Sequence, residues 1–452
     1  MSMPSSKDRE FDLFITDLNG NLRGKRMPAS ASAKIANEGV KLPRSVVGFD
    51  VWGNDVWKNG LVFETGDSDG ICLPVHDEAI PVPWAQSPRN QFLAMMFNSD
   101  GSPFLADPRQ ILVNITKRFK ALGITPVMAT ELEFYLMDAE SEKNQRPRPP
   151  KMLDGHGRRL SETDCYSIDE MDNLEAFFSE VREACELQGI PADTIISELG
   201  AGQFEINLLH VDSPMLAADQ AIMFKRLVKG ISRKHGMSAS FMAKPYADQS
   251  GNGFHVHFSL LDENGKNIFD DGTNEGSDIL KYAVAGLIHT MADGMLVFAP
   301  HLNSYRRFMK GVHAPTVACW GYENRTVAIR IPESPEVARR IEHRVSGADA
   351  NPYLVLATIL AGALYGIENK IMPPQPIEGD AYTETQANEY NDEHKLPSKW
   401  DQATEVFKKS DVISKYLGED FIRVFSTAKE QEQLRFEERI SDVEYESYLG
   451  LL

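Results

Sequence analysis

Cysteine is scarce in this chain of 452 residues. Its four thiols, Cys72, Cys165, Cys185 and Cys319, are scattered and form no C-x-x-C pair. That excludes a disulfide framework and a zinc knuckle, and it points to a reduced, cytoplasmic setting. Long apolar runs are also missing. The most extended, Tyr353 to Ile367, falls short of the roughly 18 residues that suggest a spanning helix. It reads as a buried helix opened by Asn351-Pro352. The opening residues, MSMPSSKDREFDLF, hold no apolar segment of a secretory signal. Positive charge is in the minority, with 47 Lys and Arg against 66 Asp and Glu and a net charge of −19. A nucleic-acid binder would normally show a basic face. Neither nucleic acid nor membrane is therefore an expected partner. No heptad array, solenoid repeat or low-complexity tract is present.

What is there suffices for real cores: 42% of the residues are hydrophobic, which argues against disorder. Residues 11–110 are short apolar runs broken by Gly, Pro, Asn and Asp, as in a small β-rich unit. Phe11–Asp17 followed by Asn19-Gly20-Asn21 predicts a strand entering a hairpin, and Ile71–Val75 a further strand. Helical patterning begins at Pro108, with Ile111, Leu112, Ile115 and Phe119 on one face and Gly123 as the stop. This divides the chain into units of 1–107 and 108–452. A helix is expected from about Asp169, burying Leu174, Phe177, Phe178, Val181 and Cys185 and capped by Gly189. Ser213-Pro214 opens another, running to Gly236, and the tail predicts helices near 401–416 and 419–437. The order is α+β, with strands carrying the polar residues of interest and helices packing behind them.

Four segments alternate with the period of a strand. In Met128–Leu136, Glu131, Glu133 and Tyr135 oppose Thr130, Leu132, Phe134 and Leu136. In Phe254–Leu260, His255, His257 and Ser259 oppose Phe254, Val256, Phe258 and Leu260. Thr326–Ile331 sets Ala328 and Arg330 against Val327, Ile329 and Ile331. Arg340–Val345 sets Arg340, Glu342 and Arg344 against Ile341, His343 and Val345. Each alone fits an antiparallel sheet with one wet face. Together they describe a sheet lining a site rich in carboxylate, imidazole and guanidinium groups. Glu198 to Glu205, ELGAGQFE, adds two carboxylates around a turn that Gly200 and Gly202 make tight. Seen alone it could be an ordinary hairpin. Carboxylate oxygens are hard ligands suited to Mg²⁺ or Mn²⁺. Five converging carboxylates repel one another unless cations, two or three here, lie between them. Such ions beside arginines fit phosphoryl transfer, although no P-loop or kinase signature is present.

Seven segments in order carry a family resemblance: ELEF at Glu131, ELGAGQFE at Glu198, GNGFHVHFS at Gly251, NSYRRF at Asn303, ENRTVAIRIP at Glu323, RRIEHR at Arg339 and ADANPYL at Ala348. The chain resembles the glutamine synthetase family along nearly its whole length. The resemblance implies an N-terminal β-grasp domain and a larger catalytic domain with an antiparallel sheet lining the active site. It also implies a homo-oligomer, a dodecamer of two hexameric rings with active sites between subunits. By the same resemblance Glu133, Glu198 and Glu205 form a first metal site, and Glu131, His255 and Glu342 a second. Gly251, Arg307 and Arg344 are implied glutamate contacts, and His257, Ser259 and Arg340 contacts to ATP. Arg325 and Arg330 are implied to stabilise phosphoryl transfer. The implied reaction phosphorylates the glutamate side chain from ATP and then couples it to an amine.

The departures concern the amine. After NSYRRF the family's acidic flap residue is replaced by His313, an imidazole able to accept a proton near pH 7 or simply a loop residue. Ser250 stands where the family often has Asn, and Val337 where a basic residue is common. Asp50 and Asp69 resemble ammonium-site aspartates donated by a neighbouring subunit; either could be a turn aspartate. Trp52, Trp57, Phe63 and Glu64 fit the core of the small β domain better than an aromatic amine channel. The pattern resembles the branch of the family that joins glutamate to polyamines such as putrescine. An ammonia-dependent glutamine synthetase and a non-catalytic structural or regulatory member are the alternatives.

Overall fold

A computed structural model describes residues 10–140, 147–151, 159–160, 165–308, 314–382 and 394–452. Two sheets organise it. The first holds six strands: β1 (Glu10–Thr16), β2 (Leu22–Pro28), β3 (Val40–Pro43), β4 (Asp69–Pro74), β5 (Ile80–Pro81) and β6 (Arg89–Phe97). Their order is β2-β1-β6-β4-β3, with β5 on β6; β1 and β6 run parallel and the other pairs antiparallel. The hairpin expected after Phe11 forms, with β1 paired to β2 along its whole length. A short helix, α1 (Ser32–Glu38), packs against β4. The topology is the grasp-like sheet the resemblance implies.

β1 is buried from Phe11 to Thr16, so the acid within that stretch needs neutralising partners. Asp12 accepts from Arg26 at 2.7 Å and from Arg226 at 2.9 Å, with Arg89 at 3.5 Å. Arg226 comes from α5 (Pro214–Lys234), far along the chain. An ion pair thus ties the first sheet to this helix.

The second sheet has eight strands: β7 (Thr125–Asp138), β8 (Ala192–Ser197), β9 (Gln203–Val211), β10 (Met237–Ser240), β11 (Phe254–Leu261), β12 (Trp320–Tyr322), β13 (Ile329–Ile331) and β14 (Ile341–His343). The order is β12-β13-β14-β11-β7-β9-β8, and β10 extends the edge of β7 beyond β11. The sheet is antiparallel except for β12 and β13, which run parallel. β13 and β14 are shorter than the alternation predicts, because the chain leaves the ladder once Arg330 and Glu342 have paired. The apolar face, including Leu132, Phe134, Phe204, Ile206, Val256 and Phe258, is buried. α5 packs behind β7 and β9.

The remaining helices are α2 (Pro108–Ala121), α3 (Ile168–Asn173), α4 (Glu175–Gln188), α6 (Asp278–Phe298), α7 (Pro352–Asn369), α8 (Trp400–Lys408), α9 (Asp411–Leu417), α10 (Glu419–Glu437) and α11 (Asp442–Tyr448). α6 and α7 pack on each other, and α7 starts where expected, with Asn351 accepting from the Tyr353 amide. Two expected helices are each split. Leu174 leaves helical geometry as its side chain buries, separating α3 from α4. Ser410 ends the run from Trp400 by capping α9 and donating to Asp293 at 2.6 Å. Among the described residues no helix is long and apolar enough to cross a membrane.

The aromatic residues near position 57 do not fill the core of the small unit; Phe11, Leu13, Ile15, Phe92 and Met96 do. Trp57 is 66% and Phe63 64% exposed, and they contact each other edge-on at 5.4 Å. Trp52 lies against Phe436 and under the Arg435 guanidinium, 4.2 Å from its ring centre.

Candidate active site

Strand register assembles the site. His255 pairs with Glu131 across β11 and β7. Glu205 pairs with Glu133, and Asn207 with Glu131, across β9 and β7. His257 pairs with Glu342 across β11 and β14, and Glu342 with Arg330 across β14 and β13. Because side chains alternate, these residues share one face. The Glu198 turn folds over this face. Gly202 adopts φ +77°, and a Cβ at Gly200 would lie 1.8 Å from the Tyr135 hydroxyl, so neither position tolerates a side chain without rearrangement.

The result is a cleft of about 390 Å³. Glu131, Glu133, Glu198, Glu205, His255 and Glu342 line it, with Gly251, Arg307, Arg325, Arg330 and Arg344. Glu133 accepts from the Gly253 amide at 2.8 Å and from Gln203 at 3.1 Å. Arg307 is buried and held by the Val345 carbonyl at 2.7 Å. Glu342 receives Arg330 at 2.9 Å and also a close contact from Arg344.

The acids differ sharply in their protonation. Burial pushes Glu198 up to about 7, helped by the negative charge of Glu133. Burial and the surrounding carboxylates of Glu131, Glu133, Glu198 and Glu342 push Glu205 well above the usual range. Burial opposes ionisation of Glu342 as well, yet Arg344, His257 and His255 outweigh it and hold the acid near 2. Glu131 is likewise buried, and His257 and His255 hold it well below the usual range. A cation on this face would relieve the repulsion at Glu205 and Glu198.

Two trios place ligand atoms within 4.8 Å of one another: Glu131, Glu205 and His255, and Glu131, His257 and Glu342. Both share Glu131, a different grouping from the two sites the resemblance implies. The trios are not equivalent. Arg340 donates to Nδ1 of His257 at 3.2 Å, so the proton of that ring sits on Nε2, which faces Glu131 at 2.8 Å. His257 therefore presents an N–H, not a lone pair. His255 faces Glu131 through Nδ1 at 3.2 Å, which leaves Nε2 to present a lone pair, and hard oxygens with one imidazole suit Mg²⁺ or Mn²⁺.

Other expected residues lie elsewhere. His257 and Arg340 stand behind Glu131, and Ser259 lies two positions further along β11; none lines the cleft. Asp50 is buried in its own turn, accepting from the amides of Trp52 at 3.0 Å and Asn54 at 2.8 Å and from Gln431 at 3.2 Å. It is apart from the cleft of its own chain. His313 lies outside the described residues. Sequence reasoning missed Gln203 and Asn207, although both fall two positions from Glu205 on the same face of β9. It also missed Cys165 and Tyr166, which line the cleft from a loop; Tyr166 has φ +63°, which no pattern in the sequence signals.

Residues 105–448 match the family model described as the glutamine synthetase catalytic domain. The chain is 39% identical to gamma-glutamylputrescine synthetase PuuA of Escherichia coli (strain K12) over 435 residues, covering 96% of this chain and 90% of that protein. It is 32% identical to a glutamate–isopropylamine ligase of a Pseudomonas species over 446 residues, covering 96% and 94%. A solved complex of GmaS with ADP superposes with a TM-score of 0.84 at 27% identity, over 98% of this chain and 97% of that one. The converging glutamates, the helices behind their sheet and these matches together place the chain in the glutamine synthetase family.

Proposed function

We propose that this protein joins the γ-carboxylate of glutamate to a primary amine, putrescine or another polyamine, using ATP. The observation that carries the reading is the cleft itself: five glutamates and a histidine against four arginines, in a chain similar to two amine ligases of glutamate.

In the first step a γ-carboxylate oxygen of glutamate attacks the terminal phosphorus of ATP. The bond from that phosphorus to the bridging oxygen breaks, and ADP leaves. Arg307 and Arg344 hold glutamate carboxylate oxygens, with the Gly251 backbone beside them. Arg325 and Arg330 stabilise charge on the moving phosphoryl group. His257, Ser259 and Arg340 serve the nucleotide. In the second step the amine nitrogen attacks the acyl carbon of γ-glutamyl phosphate, the carbon–oxygen bond to phosphate breaks, and phosphate departs. The amine must first lose a proton, and Asp50 and His313 are the groups assigned to receive it, Asp50 from a neighbouring subunit. Glu131, Glu133, Glu198, Glu205, His255 and Glu342 would hold two or three Mg²⁺ or Mn²⁺ ions. When bound, such ions neutralise phosphate charge and the carboxylates around them.

The same reading divides the chain at 107/108 and makes the working form a dodecamer. Exposed apolar residues support assembly: Trp57 and Phe63 in the small unit, and Leu449, Leu451 and Leu452 at the end of the chain. The test is an amine panel. Phosphate release from ATP and glutamate is followed with ammonium, putrescine, spermidine and isopropylamine at matched low concentrations. Turnover is expected to be fastest with a polyamine. Faster turnover with ammonium makes the protein a glutamine synthetase instead, and no turnover with any amine despite Mg²⁺ binding makes it a non-catalytic member.

A further inference from the structure

Among the described residues that line the cleft, Asn207 and Arg330 each have a buried polar atom without a partner, and only that of Asn207 is an acceptor. Its Oδ1 is out of contact with solvent and has no partner among the described residues. Its Nδ2 donates weakly, at 3.5 Å, to Oε1 of Glu131. Glu131 belongs to the trio with Glu205 and His255, and register sets Asn207 directly opposite Glu131 and two residues beyond Glu205 on the same strand face. An unpaired buried amide oxygen costs roughly 1–3 kcal/mol. The site therefore gains something from an asparagine here that a smaller residue would not give.

The two ends of an amide exchange by a half-turn of the terminal torsion. With NH₂ toward Glu131, the side chain meets a bare carboxylate. Turned over, Oδ1 takes the place of Nδ2, and two hard oxygens then lie about one coordination edge apart beside Glu205 and His255. Only a cation makes that arrangement favourable. The residue type fits as well: a neutral oxygen adds a ligand without adding a charge to acids that already repel one another strongly enough to push Glu205 upward.

We infer that Asn207 supplies its amide oxygen as a further ligand to the divalent ion held by Glu131, Glu205 and His255. This rests on the metal-dependent ligase reading. Asn207 then adjusts to the ion, presenting N–H to Glu131 when the ion is absent and oxygen to the ion when it is bound.

The test is a titration of the purified full-length protein with Mn²⁺ alone, followed by electron paramagnetic resonance of the free ion. Asn207→Ala is expected to weaken one class of sites about tenfold, within the range that losing a ligand-shell group produces. Asn207→Asp is expected to bind Mn²⁺ at least as tightly as the parent, while its melting temperature without metal falls because another acid joins the cluster. If both variants bind as the parent does, or both lose affinity alike, Asn207 acts only as a donor to Glu131 and the inference falls. Should the alanine variant not fold, the aspartate variant decides, and weaker binding there overturns the assignment. A parent protein that binds no Mn²⁺ at millimolar concentration would sink the metal-dependent reading itself, and this inference with it.

Discussion

Arg325 differs from the other arginines of the cleft. Arg307 is oriented by backbone carbonyls, and Arg330 and Arg344 by Glu342. Arg325 lines the same cleft, and its charge favours the ionised form of Glu198. Its guanidinium is thus the one best placed to meet charge that arises only during reaction. Replacing Arg325 by alanine is expected to lower single-turnover phosphoryl transfer by about 100-fold. Glutamate affinity should change far less, as measured by equilibrium binding. Near-normal turnover would remove Arg325 from that role. At this scale the sequence reveals side-chain facing well and side-chain orientation poorly. Alternation is enough to put Glu131, Glu133, His255, His257 and Glu342 on one face. It does not reveal that Arg340 fixes the tautomer of His257, because that depends on two side chains meeting across strands. Asn207 escaped notice for a different reason. An amide between apolar residues has no distinctive chemistry until its neighbours are known.

Among the elements, α2 shows how a start signal works and what it costs. Asp107 precedes Pro108 and accepts from the amides of Arg109 at 2.8 Å and Gln110 at 3.1 Å. Its other oxygen reaches back to the Met96 amide of β6 at 2.9 Å, so one side chain joins the last strand of the first sheet to the first helix of the second unit. Burial is complete, and it pushes this acid up to about 6 despite those three bonds. A carboxyl raised in the folded state lends stability fully below its unfolded value of 3.8, and that stability is lost as pH climbs through about 6. Asp107→Ser keeps a good cap but removes the titration. Urea midpoints measured from pH 4 to 7 should show the parent losing on the order of 3 kcal/mol relative to the serine variant across that window. Parallel profiles would show that Asp107 stays ionised throughout. The Asp107 cap was not read from the sequence, but the start at Pro108 was legible because helical periodicity is a local signal. The breaks at Leu174 and Ser410 were not, since each is made by a long-range demand: a side chain entering the core, or a hydroxyl bonding Asp293 on α6.

For the whole molecule, the α+β order follows from where turn-rich strands give way to helical periods, the same change on which the proposed division at 107/108 rests. Strand order does not, because β7, β9, β11 and β14 are separated by long excursions and nothing local says which edges meet. The exposure of Trp57 and Phe63 was misjudged for a related reason. Hydrophobicity marks a residue for burial without saying whether its own chain or a second copy covers it. Sedimentation equilibrium should report a mass near twelve times the 50.5 kDa of one chain. A 50.5 kDa species at micromolar concentration would show that these apolar residues are not covered by other subunits.

The end of the chain closes on its beginning. Lys429 and Glu432 on α10 are fully buried and bonded to each other at 3.0 Å. Lys429 also reaches Asn19, and Glu432 accepts from the Val51 amide at 2.8 Å. These partners lie 410 and 381 residues apart in the chain. During synthesis at about 5–20 residues per second, Asn19 and Val51 wait about 20–80 s for the groups that will satisfy them. The first sheet must therefore hold its shape in water while its seal is still being made on the ribosome, and that seal forms only when α10 has emerged.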